Sequence, residues 1–242
     1  MQRDDVTIVV PTYMEAENIP RLLPRVLAVL DEMQLCGGVI IVDDDSDDAT
    51  PLACQPFIDE GRVRLEIRKH ERGLSSAVLH GIDIAQSEFI VVMDADLSHP
   101  PEAIPRILKA LQDGADMVIG SRYSAGGSTA DEWTVWRWIN SKVATMIARP
   151  LTSVKDPMAG FFAIRRERVM SVRGKLNPLG YKIGLELIVK CGCKQVIEVP
   201  IRFEDRAYGE SKLNLREQWL YLRHIGRLYR YRLFGRGVER RA

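Results

Sequence analysis

Phe89-Ile-Val-Val-Met-Asp-Ala-Asp96 is the stretch on which the reading of the chain turns. Five apolar residues, two of them β-branched valines, are followed by two carboxylates spaced i and i+2. A run this short and apolar reads as a strand buried on both faces. On extended backbone, residues two apart point the same way, so Asp94 and Asp96 leave the strand end side by side. Similar runs stand at Val6–Val10, Val39–Asp43, Val63–Ile67 and Met117–Gly120. Between them, Ile19–Met33, Pro51–Glu60, Leu74–Gln86 and Pro101–Gln112 carry apolar residues at helical spacing. Asp48-Ala-Thr-Pro51 adds a helix start with proline in the first turn. Strands alternating with helices predict an α/β fold, a mostly parallel sheet flanked by helices. Beyond residue 120 the rhythm changes. The expectation is a Gly/Ser loop at Ser124–Ser128, a helix over Trp133–Ala148 and strands at Gly160–Ile164 and Gln195–Phe203. A charged loop over Glu204–Lys212 and an amphipathic final helix over Leu215–Phe234 follow.

The 242 residues, 46% apolar and 28% charged, suit one large domain with a small appendage. Ordinary counts of glycine (18) and proline (12) exclude collagen-like and disordered classes. The net charge of +1 argues against a generic nucleic-acid partner, yet it hides an asymmetry. Residues 213–242 hold eight Arg against two Glu, which leaves the first 212 residues at −5. The division expected is therefore 1–212 as an acidic body and 213–242 as a basic helix and tail that meets an anionic surface. Four cysteines, Cys36, Cys54, Cys191 and Cys193, fit neither a disulfide framework nor a zinc knuckle and read as reduced, buried thiols. Met1-Gln-Arg-Asp-Asp5 does not read as a signal peptide. No apolar run nears the ~20 residues a membrane helix needs, so any membrane role is expected to be peripheral.

Open parallel sheets bind ligands at the carboxyl ends of their strands. Those ends read Pro11-Thr-Tyr-Met-Glu15, Asp43-Asp-Asp-Ser46, Asp94-Ala-Asp96 and Ser121-Arg-Tyr123, so oxygen-bearing side chains gather on one rim. Asp94 and Asp96 can share one hard divalent cation that bridges phosphate oxygens. Asp43-Asp-Asp45 stacks like charges at a cost that a nucleotide's base N–H and ribose hydroxyl donors would relieve. Helix capping accounts for Asp47 or Asp48 instead. The chain has no Gly-x-Gly-x-x-Gly turn after the first strand, no phosphate-binding Gly-Lys-Ser loop and no Gly-x-Ser-x-Gly elbow. Phosphates would then be held by a metal on carboxylates, with Arg122, Arg137, Arg206 and Lys212 beside the later loops as cationic holders.

Five segments carry a resemblance in order along the chain. They are Val10-Pro-Thr-Tyr-Met-Glu-Ala-Glu-Asn18, Val42-Asp-Asp-Asp-Ser46, Asp94-Ala-Asp-Leu-Ser-His-Pro-Pro-Glu102, Gly120-Ser-Arg-Tyr123 with Gly126-Gly127, and Asp205-Arg-Ala-Tyr-Gly-Glu-Ser-Lys-Leu213. The chain resembles family-2 glycosyltransferases of GT-A fold, and within them the dolichyl- or polyprenyl-phosphate mannose synthases. The resemblance implies a Rossmann-like GT-A sheet and an inverting transfer of mannose from GDP-mannose to a polyprenyl or dolichyl phosphate, with Mg2+ or Mn2+. It implies that Pro11, Tyr13, Glu15, Val42 and Asp44 hold the nucleotide, and that Asp94, Ala95 and Asp96 hold metal and diphosphate. Arg122, Arg206 and Lys212 would contact phosphates, Arg137 and Ser141 would join Arg122 at the acceptor phosphate, and Asp94, Asp96 and Arg122 would be the catalytic set. Two departures stand out: Ser98 where some relatives carry Gln, and Ala159-Gly-Phe-Phe162 where many carry Ser-Gly-Phe-Arg. Relatives that use other donors, such as UDP-glucose, share the core motifs, so that donor is the alternative; a non-catalytic nucleotide-sugar-binding module is the rival from another class. A lipid acceptor places the enzyme peripherally at the cytosolic face of a membrane, with room for a membrane-anchoring subunit. On a helical wheel Arg216, Arg223, Arg227 and Arg230 form one stripe. Leu222, Ile225, Tyr229 and Leu233 lie opposite, with Trp219 and Leu220 on the flanks, the pattern of a helix lying on a bilayer surface.

Overall fold

A computed structural model describes residues 5–129, 143–204 and 215–235. Five strands alternate with helices through the first half. They are β1 (Val6–Thr12), β2 (Gly37–Asp43), β3 (Val63–Ile67), β4 (Phe89–Val92) and β5 (Met117–Ser121). The helices between them are α1 (Ile19–Glu32), α2 (Thr50–Asp59), α3 (Leu74–Ile84) and α4 (Ile104–Gln112). Each falls within a few residues of the span its pattern predicts. The second half adds β6 (Ser128–Thr129), β7 (Phe162–Arg165), α5 (Arg166–Ser171), α6 (Ile183–Lys190), β8 (Val196–Pro200), β9 (Arg202–Phe203) and α7 (Leu215–Phe234). The main sheet has seven strands in the order β3-β2-β1-β4-β7-β5-β8, while β6 and β9 form a separate parallel pair.

All neighbours in the main sheet run parallel except β7, which is antiparallel to β4 and to β5. That reversal has a consequence for the site. A strand running against the others begins at the rim where they end. Residues 160 and 161, which lead into β7, therefore arrive beside the end of β4.

Alternation along β1 divides the core in two. Val6, Ile8 and Val10 pack with Leu22, Leu23, Val26 and Leu30 of α1 and Ile104, Ile107 and Leu111 of α4. Val9 faces the other way, with Val42 and with Val78 and Ile82 of α3. Helix α3 lies so close to the sheet that a Cβ on Gly81 would stand 2.4 Å from Val9 Cγ1 and 3.2 Å from Val42 Cγ2.

Two helices escape the sequence reading. Every residue of Ile183–Val189 is buried, so α6 shows no alternation of apolar and polar faces for a helical period to reveal. Helix α5 has only six residues, too short for a period. The cysteine expectation holds in part: Cys54 is buried, Cys191 and Cys193 are half-buried, and Cys36 is exposed.

Helix α7 spans the predicted residues but divides its apolar side differently. Ile225 and Leu228 are buried against Ala148, Leu151, Leu185 and Val189, worth on the order of 2 kcal/mol each. The hydroxyls of Tyr221 and Tyr229 donate to the carbonyls of Ala144 (2.6 Å) and Ile147 (2.8 Å). The expected stripe is thus corrected: Ile225 serves the domain, whereas Trp219, Leu222 and Leu233 stand 56%, 55% and 72% exposed. Among the described residues no helix is long and apolar enough to cross a membrane.

The close seat of α3 gives a direct test of the packing. Gly81→Ala forces a methyl into Val9, and overpacking of this kind costs about 1–3 kcal/mol. The urea unfolding midpoint is expected to fall accordingly; a midpoint equal to that of the parent would show that the helix can lift without cost.

Candidate active site

The loop after β2 is built around two carboxylates with different tasks. Asp43, fully buried, accepts from Thr12 Oγ1 (2.9 Å), from the Ser46 N–H (2.8 Å) and from Ser46 Oγ (2.7 Å). It ties the end of β2 to β1 and closes its own turn. Asp44 accepts from Arg68 Nε at 2.8 Å, forms a closer ion pair with Arg68 Nη2, and accepts from the Gly73 N–H at 2.6 Å. The repulsion expected within Asp43-Asp-Asp45 is therefore relieved by a buried arginine from the end of β3. The N-cap of α2 is Ala49, without a side-chain cap, and Asp48 just before it accepts from the N–H groups of Thr50 (2.9 Å) and Ala16 (3.3 Å), tying the helix start to the β1 loop. Burial opposes its ionisation, but the hydrogen bonds from Thr50 and Ala16 outweigh that and hold its carboxyl below the usual range.

The loop after β1 is stitched to the loop after β2. The Met14 N–H donates to Ser46 Oγ and the Glu15 N–H to Thr50 Oγ1, both at 2.8 Å. Glu15 Oε2 accepts from Asn18 Nδ2 at 2.7 Å. Tyr13 is half-buried, with the Arg72 guanidinium 5.0 Å from its ring centre and a 3.3 Å hydrogen bond from Arg72 to its hydroxyl. Pro11, Val42 and Ala95 are buried, and the side chains of Val42 and Ala95 belong to the core. Whatever those two offer a ligand is backbone.

The loop after β4 holds the paired carboxylates. The Asp96 side chain is 6% exposed by residue and its Oδ1 accepts from the Ser98 N–H (3.1 Å) and Ser98 Oγ (2.5 Å). Ser98 thus orients Asp96. The Asp94 side chain is more open, at 28%. Its backbone N–H donates to His99 Nδ1 at 3.0 Å, so that nitrogen is an acceptor. His99 is buried, stacked on Phe161 at 5.2 Å and edge-on to Phe203 at 5.6 Å. It fixes the turn that presents Asp94. Gly160, delivered by the reversed β7, completes the cradle: a Cβ there would lie 3.2 Å from Asp94 Oδ2.

Arg122 leaves the end of β5 and forms a fork with Asp156, Nε to Oδ2 at 2.8 Å and Nη2 to Oδ1 at 2.7 Å. Its own backbone N–H donates to the same carboxylate at 3.0 Å, and Phe203 lies 5.2 Å beneath the guanidinium. Burial works against the charge, yet Asp156 more than compensates and raises the Arg122 pKa. Glu198 in turn accepts from Ser121 Oγ and from the N–H groups of Lys155 and Asp156. Arg122 therefore anchors the 153–156 segment to the rim. Arg137, Ser141, Arg206 and Lys212 lie outside the described residues.

Three of the four non-glycine residues with positive φ among those described are Met14 (61°), Asp45 (57°) and Leu97 (64°). One follows each of β1, β2 and β4. Strained backbone concentrates where a structure must aim groups at a ligand. The rim thus brings together Tyr13, Glu15, Asp44, Asp94, Asp96 and Arg122. It adds Arg68, Arg72, Asp156 and Gly160, which the sequence reading did not select, and His99, the histidine that follows the paired carboxylates in the Asp94–Glu102 segment and takes a structural role here. Arg68 and Arg72 could have been found, because Arg68-Lys-His-Glu-Arg72 follows β3 just as the selected loops follow their strands. Among the described residues no group of three or more His, Cys, Asp or Glu gathers to hold a metal alone. Two carboxylates with the remaining positions left to phosphates and water is the donor set a magnesium-type ion takes, and Asp94 with Asp96 fits it.

Residues 7–172 match the family described as Glycosyl transferase family 2. Over 230 residues the chain is 42% identical to a dolichol-phosphate mannosyltransferase of Pyrococcus furiosus, covering 93% of this chain and 64% of that protein. Proteins of the same name from Mycosarcoma maydis and Saccharomyces cerevisiae are 40% and 38% identical over 93% of this chain, spanning 79% and 87% of theirs. In fold, the chain resembles glucosyl-3-phosphoglycerate synthase from Mycobacterium tuberculosis, solved with Mn2+ and UDP, with a TM-score of 0.68 and 18% identity. That likeness covers 95% of this chain and 80% of the other.

The Gly160 cradle yields a prediction. Gly160→Ala presses a methyl on the Asp94 carboxylate, and displacements well under 1 Å at a reacting centre are costly. A loss of about tenfold in kcat/KM is expected with an unchanged thermal midpoint; full activity would remove Asp94 from the reacting centre.

Proposed function

We propose that this chain, which belongs to glycosyl transferase family 2, transfers mannose from GDP-mannose to a polyprenyl or dolichyl phosphate with inversion at the sugar carbon. One observation carries the reading. Identity of 38–42% to three dolichol-phosphate mannosyltransferases runs over 93% of the chain, and the family match over residues 7–172 spans the carboxylate rim.

In the proposed reaction an acceptor phosphate oxygen bonds to the sugar's anomeric carbon as the bond from that carbon to the diphosphate oxygen breaks, and GDP leaves. A phosphate ester is an anion at neutral pH, so the attacking oxygen needs no strong base. Catalysis then rests on orientation and on support of the departing diphosphate. Asp94 and Asp96 would hold a divalent cation, Mg2+ or Mn2+, which when bound offsets charge on the diphosphate. The solved fold relatives that carry Mn2+ support that assignment at the level of the fold. Ser98 and His99 keep the two carboxylates aimed, and the loops carrying Tyr13, Glu15 and Asp44 would seat the nucleotide. Arg137 and Ser141, with Arg206 and Lys212, are assigned to the acceptor and donor phosphates by their motifs, and Arg122 by its place at the end of β5.

A lipid acceptor must be met at a bilayer. We assign residues 1–212 to catalysis and 213–242 to a peripheral contact with the cytosolic face of a membrane. The outward side of α7 supports this. Trp219, Leu222 and Leu233 are exposed beside Arg223, Arg227 and Arg230, and the Arg223 guanidinium stacks 4.6 Å from the Trp219 ring. A separate anchoring subunit would occupy the same side.

Incubation with GDP-mannose, Mg2+ and a short polyprenyl phosphate should yield the mannosyl lipid, and a panel including UDP-glucose should yield far less product. Asp96→Asn is expected to cut turnover by orders of magnitude while leaving the fold intact. Near-normal turnover in that variant would defeat the metal assignment, and preference for another donor would move the enzyme within its family.

Binding to anionic liposomes should weaken as salt rises, since each arginine contributes on the order of 1 kcal/mol near such a surface. Replacing Arg223, Arg227 and Arg230 together with Gln should weaken it sharply. Binding that ignores salt would speak for a purely apolar anchor.

A further inference from the structure

Away from the carboxylate rim, a cavity of about 430 Å³ opens between α7, α6 and the edge strand β8. Its lining includes Val196, which pairs with Met117 at the start of β5, whereas Arg122 follows the end of β5. The cavity therefore sits at the opposite end of the sheet from Asp94 and Asp96. Three cations line it, Arg149, Lys194 and Arg232, together with the hydroxyl residues Thr152 and Ser153. No carboxylate lines it.

Arginines 25, 62, 64, 68, 122, 165, 168 and 173 each pair with a carboxylate. Among the described residues Arg149, Lys194 and Arg232 have no such partner, a condition they share with Arg72, Arg106 and Arg166, but the first three line one cavity. Two of the three are nevertheless held in place by carbonyls. Arg149 Nη1 donates to Ser153 O at 3.2 Å and Arg232 Nη1 to Pro150 O at 2.6 Å. Carbonyls steer a guanidinium without neutralising it, so these two exposed arginines keep their charge at the lip of a cavity whose lining holds no carboxylate. Guanidinium forks beside an ammonium and two hydroxyls match the oxygens of a phosphate ester.

We infer that this cavity is a phosphate-ester binding site separate from the catalytic rim. The neighbouring surface favours a lipid headgroup as the source. Leu233 and Phe234, 72% and 74% exposed, bring apolar surface to the same end of α7 as Arg232, where acyl chains would lie. A free phosphate would use the same cations without that surface. The inference does not depend on which sugar or acceptor the rim handles.

The test uses the full chain and the variant Arg149→Gln/Lys194→Gln, which leaves the helix contact of Arg232 in place, with circular dichroism melting to check that the variant is folded. Orthophosphate is titrated by calorimetry, and vesicles of phosphatidylcholine with or without phosphatidic acid are tested by co-sedimentation. Expected is binding of the phosphatidic acid vesicles that is about tenfold weaker in the double variant, a change of about 1.4 kcal/mol. Transfer to a short, soluble prenyl phosphate without vesicles should be unchanged. A loss confined to the vesicles identifies a headgroup site, and a loss confined to orthophosphate identifies a site for soluble phosphates. Binding of neither probe, or binding equal in the folded variant and the parent, overturns the inference. Replacing Arg223, Arg227 and Arg230 should leave the orthophosphate titration untouched, which separates this site from general adsorption of α7.

Discussion

Carboxylates crowded on one rim must be kept ionised without driving the rim apart. The parallel arrangement makes this unavoidable, because strand ends that carry Asp43, Asp44, Asp94 and Asp96 all emerge on one edge of the sheet. The structure answers with a different partner for each group. Asp43 is held by hydroxyls and an amide, Asp44 by Arg68, Asp156 by Arg122 and Asp96 by Ser98. Asp94 instead stays partly open to water, with His99 accepting from its backbone N–H and lying 3.8 Å from its carboxylate. Asp43, Asp44 and Asp156 thus serve the framework, while the more open Asp94 stands beside the buried Asp96 at the end of β4.

The same accounting explains which parts of the molecule the sequence discloses. Strands β1 to β5 and helices α1 to α4 announce themselves because each buries one side or two at a regular period. The paired carboxylates do so because they end a strand. Helix α6 is buried all round and has no period to read. Asp156 is distant in sequence from Arg122, and Gly160 from Asp94; nothing local marks either pair, since the reversed strand β7 brings them together. Arg68 was legible in principle, as the residue after a predicted strand, but only a rule applied to all five strands would have selected it. Arg122 was selected for phosphate, and its fork to Asp156 shows a framework duty beside any phosphate contact.

The wheel of α7 misleads for a related reason. A helix that must dock and also meet a second surface carries two apolar sides, and a single stripe fitted to it averages them. Leu228 and Ile225 lie inward, while Trp219, Leu222 and Leu233 lie outward among the arginines. The buried His224 shows how firmly the inner side is committed. It faces the fully buried Glu186 of α6 at 3.7 Å, and burial above all lowers its pKa, so the helix docks through a neutral ring.

What remains at the rim is a site suited to holding reactants still. The thiols supply no ready nucleophile there: burial, above all, pushes Cys54 up to about 11 and both Cys191 and Cys193 up to about 12, so all three stay protonated at neutral pH. The buried imidazole of His99 is occupied through Nδ1 by a backbone N–H, which removes the lone pair a general base on that nitrogen would need. Strained residues follow three strands, a buried arginine locks the β2 loop, and a fork locks the end of β5. Such rigidity is useful when both partners of a reaction arrive already charged. The nucleophile needs no activation, the leaving group needs only a prearranged counter-charge, and the barrier that the protein can lower is the entropy of bringing the two into line.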